Sequence, residues 1–272
     1  MRTSPFPSWL LLGLIFSAGP VLAVDFVAHR GASHAAPENT LAAQRLAWEE
    51  RADAVETDIR LTQDGRILVI HDATTLRTAG RDAKVIELTL AEARGLDAGS
   101  WKAPQYAGEK LPTLDEQLAL IPPGKKLLVE IKVGPEIVPE FARVVAKSGV
   151  DLKQLVVISF NHAALQAVRE QLPQVATLKL AGYTAPTAQN PTPDQPTLDA
   201  VIAAAREAGF TGLDLHHGWP LTLDDVKKIR AANLQLHVWT VDDVAVAERW
   251  IALGVDSITT NRPGWLRESL KR

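Results

Sequence analysis

The chain has no cysteine among its 272 residues. This absence excludes a thiol nucleophile, a thiolate zinc site and any disulfide. An excess of positive charge is also lacking, because 29 Lys and Arg residues are balanced by 32 Asp and Glu residues, for a net charge of −3. The basic residues form no stripe along the sequence. Nucleic acid is therefore not the expected partner, since its binding requires concentrated positive charge.

Long apolar runs are scarce, and the one that stands out lies at the N-terminus. Arg2 gives a positive start, the apolar run Trp9–Ala18 follows, and Val21–Ala23 offers the small-residue pattern that a signal peptidase reads. The run is shorter than the ~20 residues of a transmembrane helix.

We therefore expect residues 1–23 to be a signal peptide. Residues 24–272 are then one exported domain, periplasmic or secreted, without stable membrane insertion. An uncleaved membrane tether is the alternative.

The sequence also lacks the glycine-rich GxGxxG turn of dinucleotide-binding folds and the GxSxG elbow of serine hydrolases. What it has is an alternation of short apolar runs with helix-like segments, which predicts parallel strands connected by crossover helices. The predicted strands are Phe26–His29, Val55–Leu61, Ile67–His71, Leu127–Lys132, Leu155–Phe160, Ala176–Leu180, Gly212–Leu215, Leu234–Thr240 and Ser257–Thr260.

Nine strands are one too many for an eightfold barrel, and a hairpin explains the extra strand. Asp64-Gly65 lies between two apolar runs, which is a strong hairpin signal. If these are the two turn residues, Asp58 lies opposite His71, and Glu56 projects from the same face as Asp58. Eight parallel strands remain. The predicted fold is an α/β, TIM-type (β/α)8 barrel, with an open doubly wound sheet as the alternative.

Two segments depart from the strand–helix alternation. Ala79–Thr113 is long and polar, and we interpret it as an inserted excursion before the third barrel strand. Thr184–Thr197 is rich in Pro, Thr and Gln. It is either a flexible connection or a loop that shapes specificity at the catalytic end of the barrel.

Charged or ionisable side chains lie in three successive predicted barrel strands or directly after them, and the carboxyl ends of such strands meet at one mouth of a barrel. The first strand ends in His29 and Arg30, the second carries Glu56 and Asp58, and the third carries Glu130 and Lys132. The three carboxylates suit a hard divalent cation, and the two basic side chains suit a phosphate. His29 and His71 offer two imidazoles that can exchange protons near neutral pH. This combination indicates cleavage of a phosphodiester.

The motifs HRG…PENT, ExD, HD and ExK, in this order, resemble those of the glycerophosphodiester phosphodiesterase family. The resemblance continues through IHDATTLRT, HVWTVD and GVDSITTNRP, and so covers essentially the whole of residues 24–272. It implies a TIM-type barrel, one divalent cation, Ca²⁺ or Mg²⁺, and hydrolysis of glycerophosphodiesters to glycerol 3-phosphate and an alcohol.

The resemblance also implies roles for individual residues. His29 and His71 match the acid/base pair, and Glu56, Asp58 and Glu130 match the metal ligands. Arg30 and Lys132 match the phosphate-binding positions. The aromatic side chains Phe160 and Trp239 match positions against the glycerol moiety, although both also fit a barrel core.

Some polar residues lie outside the shared motifs. His34 departs from the family pattern at the rim of the site. His216 and His217 end a strand, where they either line a head-group pocket or contact solvent. Glu38 and Asn39 are interpreted as supporting or helix-start groups rather than ligands.

Two other functions remain open at this point. One is a phospholipase D-type activity on lysophospholipids, and the other is a non-catalytic exported protein that binds phosphorylated ligands. The identity of the head-group alcohol and the oligomeric state are not determined by the sequence.

Overall fold

The structure is a computed structural model that describes residues 24–271. The predicted signal peptide, residues 1–23, lies outside the described residues. Among residues 24–271, no helix combines the length and the apolar character needed to cross a bilayer.

Within this range, nine strands form one sheet around the core of the molecule. They are β1 Asp25–Ala28, β2 Ala54–Leu61, β3 Ile67–Val69, β4 Lys126–Ile131, β5 Leu155–Ser159, β6 Ala176–Ala181, β7 Gly212–His216, β8 Gln235–Trp239 and β9 Ser257–Thr260. All except β3 pair in parallel, and β1 closes the sheet by pairing with both β2 and β9. The predicted (β/α)8 barrel is confirmed, and the open sheet is wrong.

In the same described part of the chain, ten helices surround or extend the barrel. They are α1 Leu41–Glu49, α2 Leu76–Ala79, α3 Leu90–Arg94, α4 Leu114–Leu118, α5 Val138–Ser148, α6 His162–Gln171, α7 Leu198–Glu207, α8 Leu223–Ala231, α9 Val244–Leu253 and α10 Pro263–Ser269. Several begin at a polar side chain that accepts a hydrogen bond from the first helical turn, as expected for an N-cap. These N-caps are Thr40, Asn161, Thr197, Thr222 and Asp243.

The alternation of side chains along each strand divides the core into two layers. One set faces outward and packs against the helices, as Val55 and Ile59 of β2 do. The other set fills the barrel, where Leu128, Ile158 and Leu180 belong to a separate apolar cluster. This interior cluster leaves the carboxyl end of the barrel to polar side chains.

The hairpin after β2 exists, but its predicted register is wrong by one residue. Ile59 pairs with Val69 and Leu61 with Ile67, so Asp58 lies opposite Ile70 rather than His71. The loop has three residues because Gly65 adopts a φ of 68° and the Thr62 hydroxyl accepts a hydrogen bond from the Arg66 N–H. His71 follows the end of β3, and its side-chain direction is therefore not set by the ladder.

The predicted excursion, Ala79–Thr113, packs with β3 and Ile70 in an apolar cluster of its own. Side chains from β3 and from the segment after it pack together, apart from the barrel core: Leu68, Ile70, Val85, Leu88, Ala93, Ala98 and Leu111. The capping box of α3 at Thr89 and Glu92 helps to define its local structure. The segment therefore presents His71 to the barrel mouth from a packed support.

A buried histidine lies inside the barrel below the polar end. His237 of β8 makes two side-chain hydrogen bonds. Its Nδ1 lies 2.6 Å from the Ser257 hydroxyl oxygen, and its Nε2 lies 3.2 Å from Gln235 Oε1. Burial is the main cause that lowers the pKa of His237 to about 4. The folded state therefore binds this proton less readily than the unfolded state, in which the imidazole titrates at about 6.5.

This difference predicts a loss of stability in mild acid. The His237 contribution is fully present above pH 6.5, and it falls as the pH drops towards 4, because the unfolded chain takes up the proton first. At pH 5 the expected loss of stability is about 2 kcal/mol.

Urea unfolding at pH 7.5 and pH 5 measures this loss. His237→Asn should lessen the pH dependence, whereas the exposed His34→Asn serves as control. An unchanged dependence in His237→Asn would contradict the assignment.

Candidate active site

A cavity of about 140 Å³ opens at the carboxyl ends of the barrel strands. It is lined by His29, Arg30, Glu56, His71, Glu130, Lys132, Ile158, Phe160, Leu180, Asp214, Trp239 and Thr259. Eight of the nine site residues predicted from the sequence are in this lining, and the ninth, Asp58, is buried beside them. The loop Thr184–Thr197, which the structure describes throughout, contributes no lining residue.

The three predicted metal ligands form one cluster. Glu56 and Asp58 project from the same face of β2, and Glu130 of β4 is the register partner of Asp58. One oxygen from each carboxylate lies within 4.8 Å of the other two. The parallel pairing of β2 with β4 therefore brings together acidic residues that are far apart in the sequence.

The donor set fits a divalent cation of the hard type. Carboxylate oxygens are the preferred ligands of Ca²⁺ and Mg²⁺. Glu56 Oε1 and Asp58 Oδ1 are both buried and have no hydrogen-bond partner in the described part of the chain. Buried polar atoms without partners are costly, and a bound cation would satisfy both of these.

Burial and mutual repulsion change the acidity of this cluster. Desolvation, followed by the charges of its acidic neighbours, raises the pKa of Glu56 above its ordinary range and that of Glu130 to about 7. Desolvation would also raise the pKa of Asp58. The charges of Arg30 and Lys132 outweigh it and hold that pKa below its ordinary value. A cation would lower the pKa of all three groups.

Arg30 and Lys132 line the cavity beside the carboxylates. Arg30 Nε is 3.3 Å from an oxygen of Asp58, and Lys132 Nζ donates to Glu130 Oε1 at 2.7 Å. The Arg30 backbone, with a φ of 54°, directs its N–H to Glu56 Oε2 at 2.8 Å. Asn39, with a φ of 61°, donates to Asp58 through its side-chain amide. The predicted supporting role of Asn39 agrees with this contact.

His29 is held by a chain of hydrogen bonds from the end of β9. Asn261 donates through its Nδ2 to Asp242, because a carboxylate only accepts. The Asn261 Oδ1 then faces His29 Nδ1 at 2.7 Å, so that Nδ1 carries the proton. The Nε2 atom of His29 is left with a lone pair that can accept a proton. Desolvation is the main cause that lowers the pKa of His29 to about 4 and keeps the ring neutral.

His71 has a different partner on the same ring nitrogen. Its Nδ1 lies 2.7 Å from Asp72 Oδ1, and Arg77 donates to the other oxygen of Asp72 at 2.7 Å. Arg77 also donates to Glu38, which in turn accepts from Arg30 at 2.8 Å. Desolvation lowers the pKa of His71 from its ordinary value, and the charge of Asp58 and the hydrogen bond with Asp72 offset part of this shift. A carboxylate partner favours the protonated form of an imidazole more than an amide partner does. The two histidines therefore have unequal environments.

Two aromatic side chains form one wall of the cavity. The rings of Phe160 and Trp239 meet edge to face, with centroids 5.7 Å apart. Phe160 is 48% exposed, so it contacts solvent at the rim and is not a core residue. The alternative interpretation as barrel core is therefore wrong for Phe160.

The remaining histidines that the sequence singled out lie outside the cavity lining. His216 packs its ring edge to face with Trp239 at 5.1 Å and accepts from the Gly218 N–H. His217 makes hydrogen bonds through its backbone, whose carbonyl accepts from the Trp250 indole N–H. His34 is exposed at the rim, and its Nε2 lies 3.3 Å from Arg262 Nη2. None of these three described residues contributes a side chain to the lining.

Sequence reasoning missed several residues that support or line the site. Asp72, Arg77, Asp242 and Asn261 lie inside motifs quoted for the family resemblance but were given no role. Asp214 was also missed, because His216 and His217 at the end of its strand are the more conspicuous polar residues. A carboxylate inside the apolar run LDL was the available signal.

Comparisons with known proteins identify the family of the chain. A sequence model of the glycerophosphoryl diester phosphodiesterase family matches residues 29–265. The chain belongs to this family. Its members are phosphoric diester hydrolases, and the chain is therefore an enzyme of this class.

Individual relatives align over most of their length. The glycerophosphodiester phosphodiesterase of Caldanaerobacter subterraneus subsp. tengcongensis is 34% identical, covering 87% of this chain and 93% of its own. The Bacillus subtilis enzyme of the same name is 32% identical, covering 91% and 87%. A phosphodiesterase from Oleispira antarctica, solved in complex with the product sn-glycerol-3-phosphate, is 27% identical with a TM-score of 0.79, covering 91% of this chain and 97% of its own.

The carboxylate cluster predicts measurable cation binding. Titration with Ca²⁺ or Mg²⁺ should give saturable heat by calorimetry and should raise the melting temperature, because the ion binds only the folded chain. Glu56→Gln should weaken binding at least about tenfold, since it removes one charged ligand. Glu87→Gln, an exposed glutamate paired with Lys84, is the matched control. Equal affinity in both variants would remove Glu56 from the ligand set.

Proposed function

We propose that the chain hydrolyses glycerophosphodiesters to glycerol 3-phosphate and an alcohol, with a divalent cation and two histidines. The observation that carries this proposal is the meeting of His29, His71 and the three carboxylates at one cavity that also contains Arg30 and Lys132. Family membership supports the substrate class, and the related Oleispira antarctica structure was solved with glycerol 3-phosphate.

The charged residues divide into two groups in this proposal. Glu56, Asp58 and Glu130 hold a Ca²⁺ or Mg²⁺ ion, which when bound polarises the phosphoryl group and neutralises its charge. Arg30 and Lys132 donate hydrogen bonds to the phosphate oxygens, and both already lie next to the carboxylates.

The histidines transfer the protons. His29 Nε2 is available as an acceptor, so His29 removes the proton of the attacking hydroxyl group, which belongs either to water or to the neighbouring glycerol carbon. His71 is paired with Asp72, so His71 donates its proton to the oxygen of the departing alcohol. In this step one P–O bond forms, one breaks, and each histidine ends with the proton state that the other had. When water attacks, the products are glycerol 3-phosphate and the alcohol. When the glycerol hydroxyl attacks, the step gives a cyclic phosphate, and water then opens it to glycerol 3-phosphate with the two histidines in exchanged roles.

A panel of glycerophosphodiesters tests the proposal. Glycerophosphocholine, glycerophosphoethanolamine, glycerophosphoglycerol and glycerophosphoinositol are assayed for glycerol 3-phosphate release with each cation and after chelation with EDTA. We expect release from at least one diester, loss with EDTA and recovery with Ca²⁺ or Mg²⁺. Full activity after exhaustive chelation would contradict the metal role. Lysophosphatidylcholine in the same panel tests the phospholipase D alternative.

Replacing His71 separates an enzyme from a binding protein. His71→Ala should lower kcat by roughly 10²- to 10⁴-fold, because it removes the proton donor. A protein that only binds phosphorylated ligands would show a modest change in affinity and no turnover to lose. His34→Ala, at the exposed rim, is the control histidine.

The hydrogen-bond chain to His29 predicts a positioning role for Asn261. Asn261→Ala should lower kcat by roughly 10- to 100-fold with little change in KM, because the imidazole loses its fixed tautomer and orientation. The acid limb of the pH–rate profile should move at the same time. Asn190→Ala, in the exposed loop, is the control. An unchanged kcat and pH profile would show that Asn261 is not needed.

We also propose that the enzyme is exported, as a periplasmic or secreted protein. This part rests on the sequence of residues 1–23 alone.

A further inference from the structure

The floor of the cavity carries a carboxyl group that the catalytic scheme does not use. Asp214 lies in the middle of β7 and is 1% exposed, although it lines the cavity with Ile158 and Leu180. Two strands away, Thr259 of β9 also lines the cavity and is 2% exposed. Two buried polar side chains from β7 and β9 therefore line the cavity together with the apolar Ile158 and Leu180.

Both side chains lack the partners that buried polar groups normally have. Asp214 Oδ1 and Thr259 Oγ1 are buried without a hydrogen bond in the part of the chain that the structure describes. The Asp214 backbone carbonyl is engaged, because it accepts from the Trp239 indole at 3.1 Å. Since unpaired buried polar atoms are costly, these two atoms indicate that a ligand supplies the missing hydrogen bonds.

The surroundings of Asp214 differ from those of the metal cluster. Asp58 and Glu130 have Arg30 or Lys132 within ion-pair distance, whereas no cationic side chain among residues 24–271 pairs with Asp214. Burial, and then the negative charge of Glu130, raise the pKa of Asp214 well above its ordinary value. In either protonation state the carboxyl group can accept from an alcohol O–H, and the neutral form can also donate.

We propose that Asp214, together with Thr259, binds a hydroxyl group of the glycerol moiety and selects substrates that carry it. The inference rests on the proposed function and adds the residues that recognise glycerol. Phe160 and Trp239 contact the carbon atoms from the wall, while the phosphate faces Arg30 and Lys132. A site built to bond a hydroxyl group discriminates strongly against a ligand that lacks it, because its own polar atoms then stay unpaired.

Two ligands that share a phosphate and a three-carbon chain isolate this contact. Dissociation constants of sn-glycerol 3-phosphate and n-propyl phosphate, which has no hydroxyl groups, are measured by calorimetry with the Ca²⁺- or Mg²⁺-loaded protein. We expect the wild-type chain to prefer glycerol 3-phosphate. Asp214→Leu should reduce this preference roughly tenfold or more, the effect of about one good hydrogen bond. Asp214→Asn, which keeps a donor and an acceptor, should retain most of it.

A second pair of variants covers the case in which Asp214→Leu fails to fold. Thr259→Val removes only the hydroxyl at nearly constant shape and should also reduce the preference. Thr177→Val is the matched control, because Thr177 is an equally buried threonine whose hydroxyl has no partner among the described residues and does not line the cavity.

The outcomes separate the inference from the proposed function. If the wild-type chain releases glycerol 3-phosphate from a diester but shows no preference between the two ligands, the role of Asp214 is wrong and the function stands. The role is equally wrong if Asp214→Leu and Thr259→Val both keep the preference. If no diester is cleaved and neither ligand binds, the proposed function is wrong as well.

Discussion

Three carboxylates within 4.8 Å of one another repel, and the buried end of a barrel offers little water to weaken that repulsion. The structure offsets the repulsion with Arg30 and Lys132, and with hydrogen bonds from the Arg30 backbone and the Asn39 side chain. Both Arg30 and Asn39 adopt positive φ, a strained conformation for residues other than glycine. The loop after β1 therefore takes its shape from the demands of the acidic cluster. The same charges that stabilise the acidic cluster are the ones proposed to hold a phosphate.

Most of the fold and the centre of the site could be predicted from the sequence because each depends on short-range patterns. Apolar runs with crossover helices allow few arrangements, and parallel strands bring their carboxyl ends together. Glu56, Asp58 and Glu130 stand out because acidic residues in apolar strands are rare without a function. Their placement in one cluster follows directly from the parallel register of β2 and β4.

Other features depend on information that the sequence does not display. The hairpin register depends on the positive φ of Gly65 and on hydrogen bonds of the Thr62 hydroxyl. With these, the loop has three residues and not the two that were expected. His71 still reaches the cavity, because it lies beyond the end of β3. The contacts of Asn261 with His29 span 232 positions of chain and appear only when β9 lies next to β1. Asp214 is visible as a carboxylate in an apolar run, but its lack of partners among the described residues is a property of the assembled barrel.

The separate apolar cluster of the excursion divides the histidine pair between two structural units. His29 follows barrel strand β1, whereas His71 follows β3, whose Leu68 packs with the excursion in the separate cluster. Arg77 links Asp72, next to His71, to Glu38 of the barrel loop. Insertions or deletions within the excursion therefore fall on this separate cluster and not on the apolar interior of the barrel. Changes in length near His71, the proposed proton donor, are thereby separated from the part of the barrel that carries the three carboxylates.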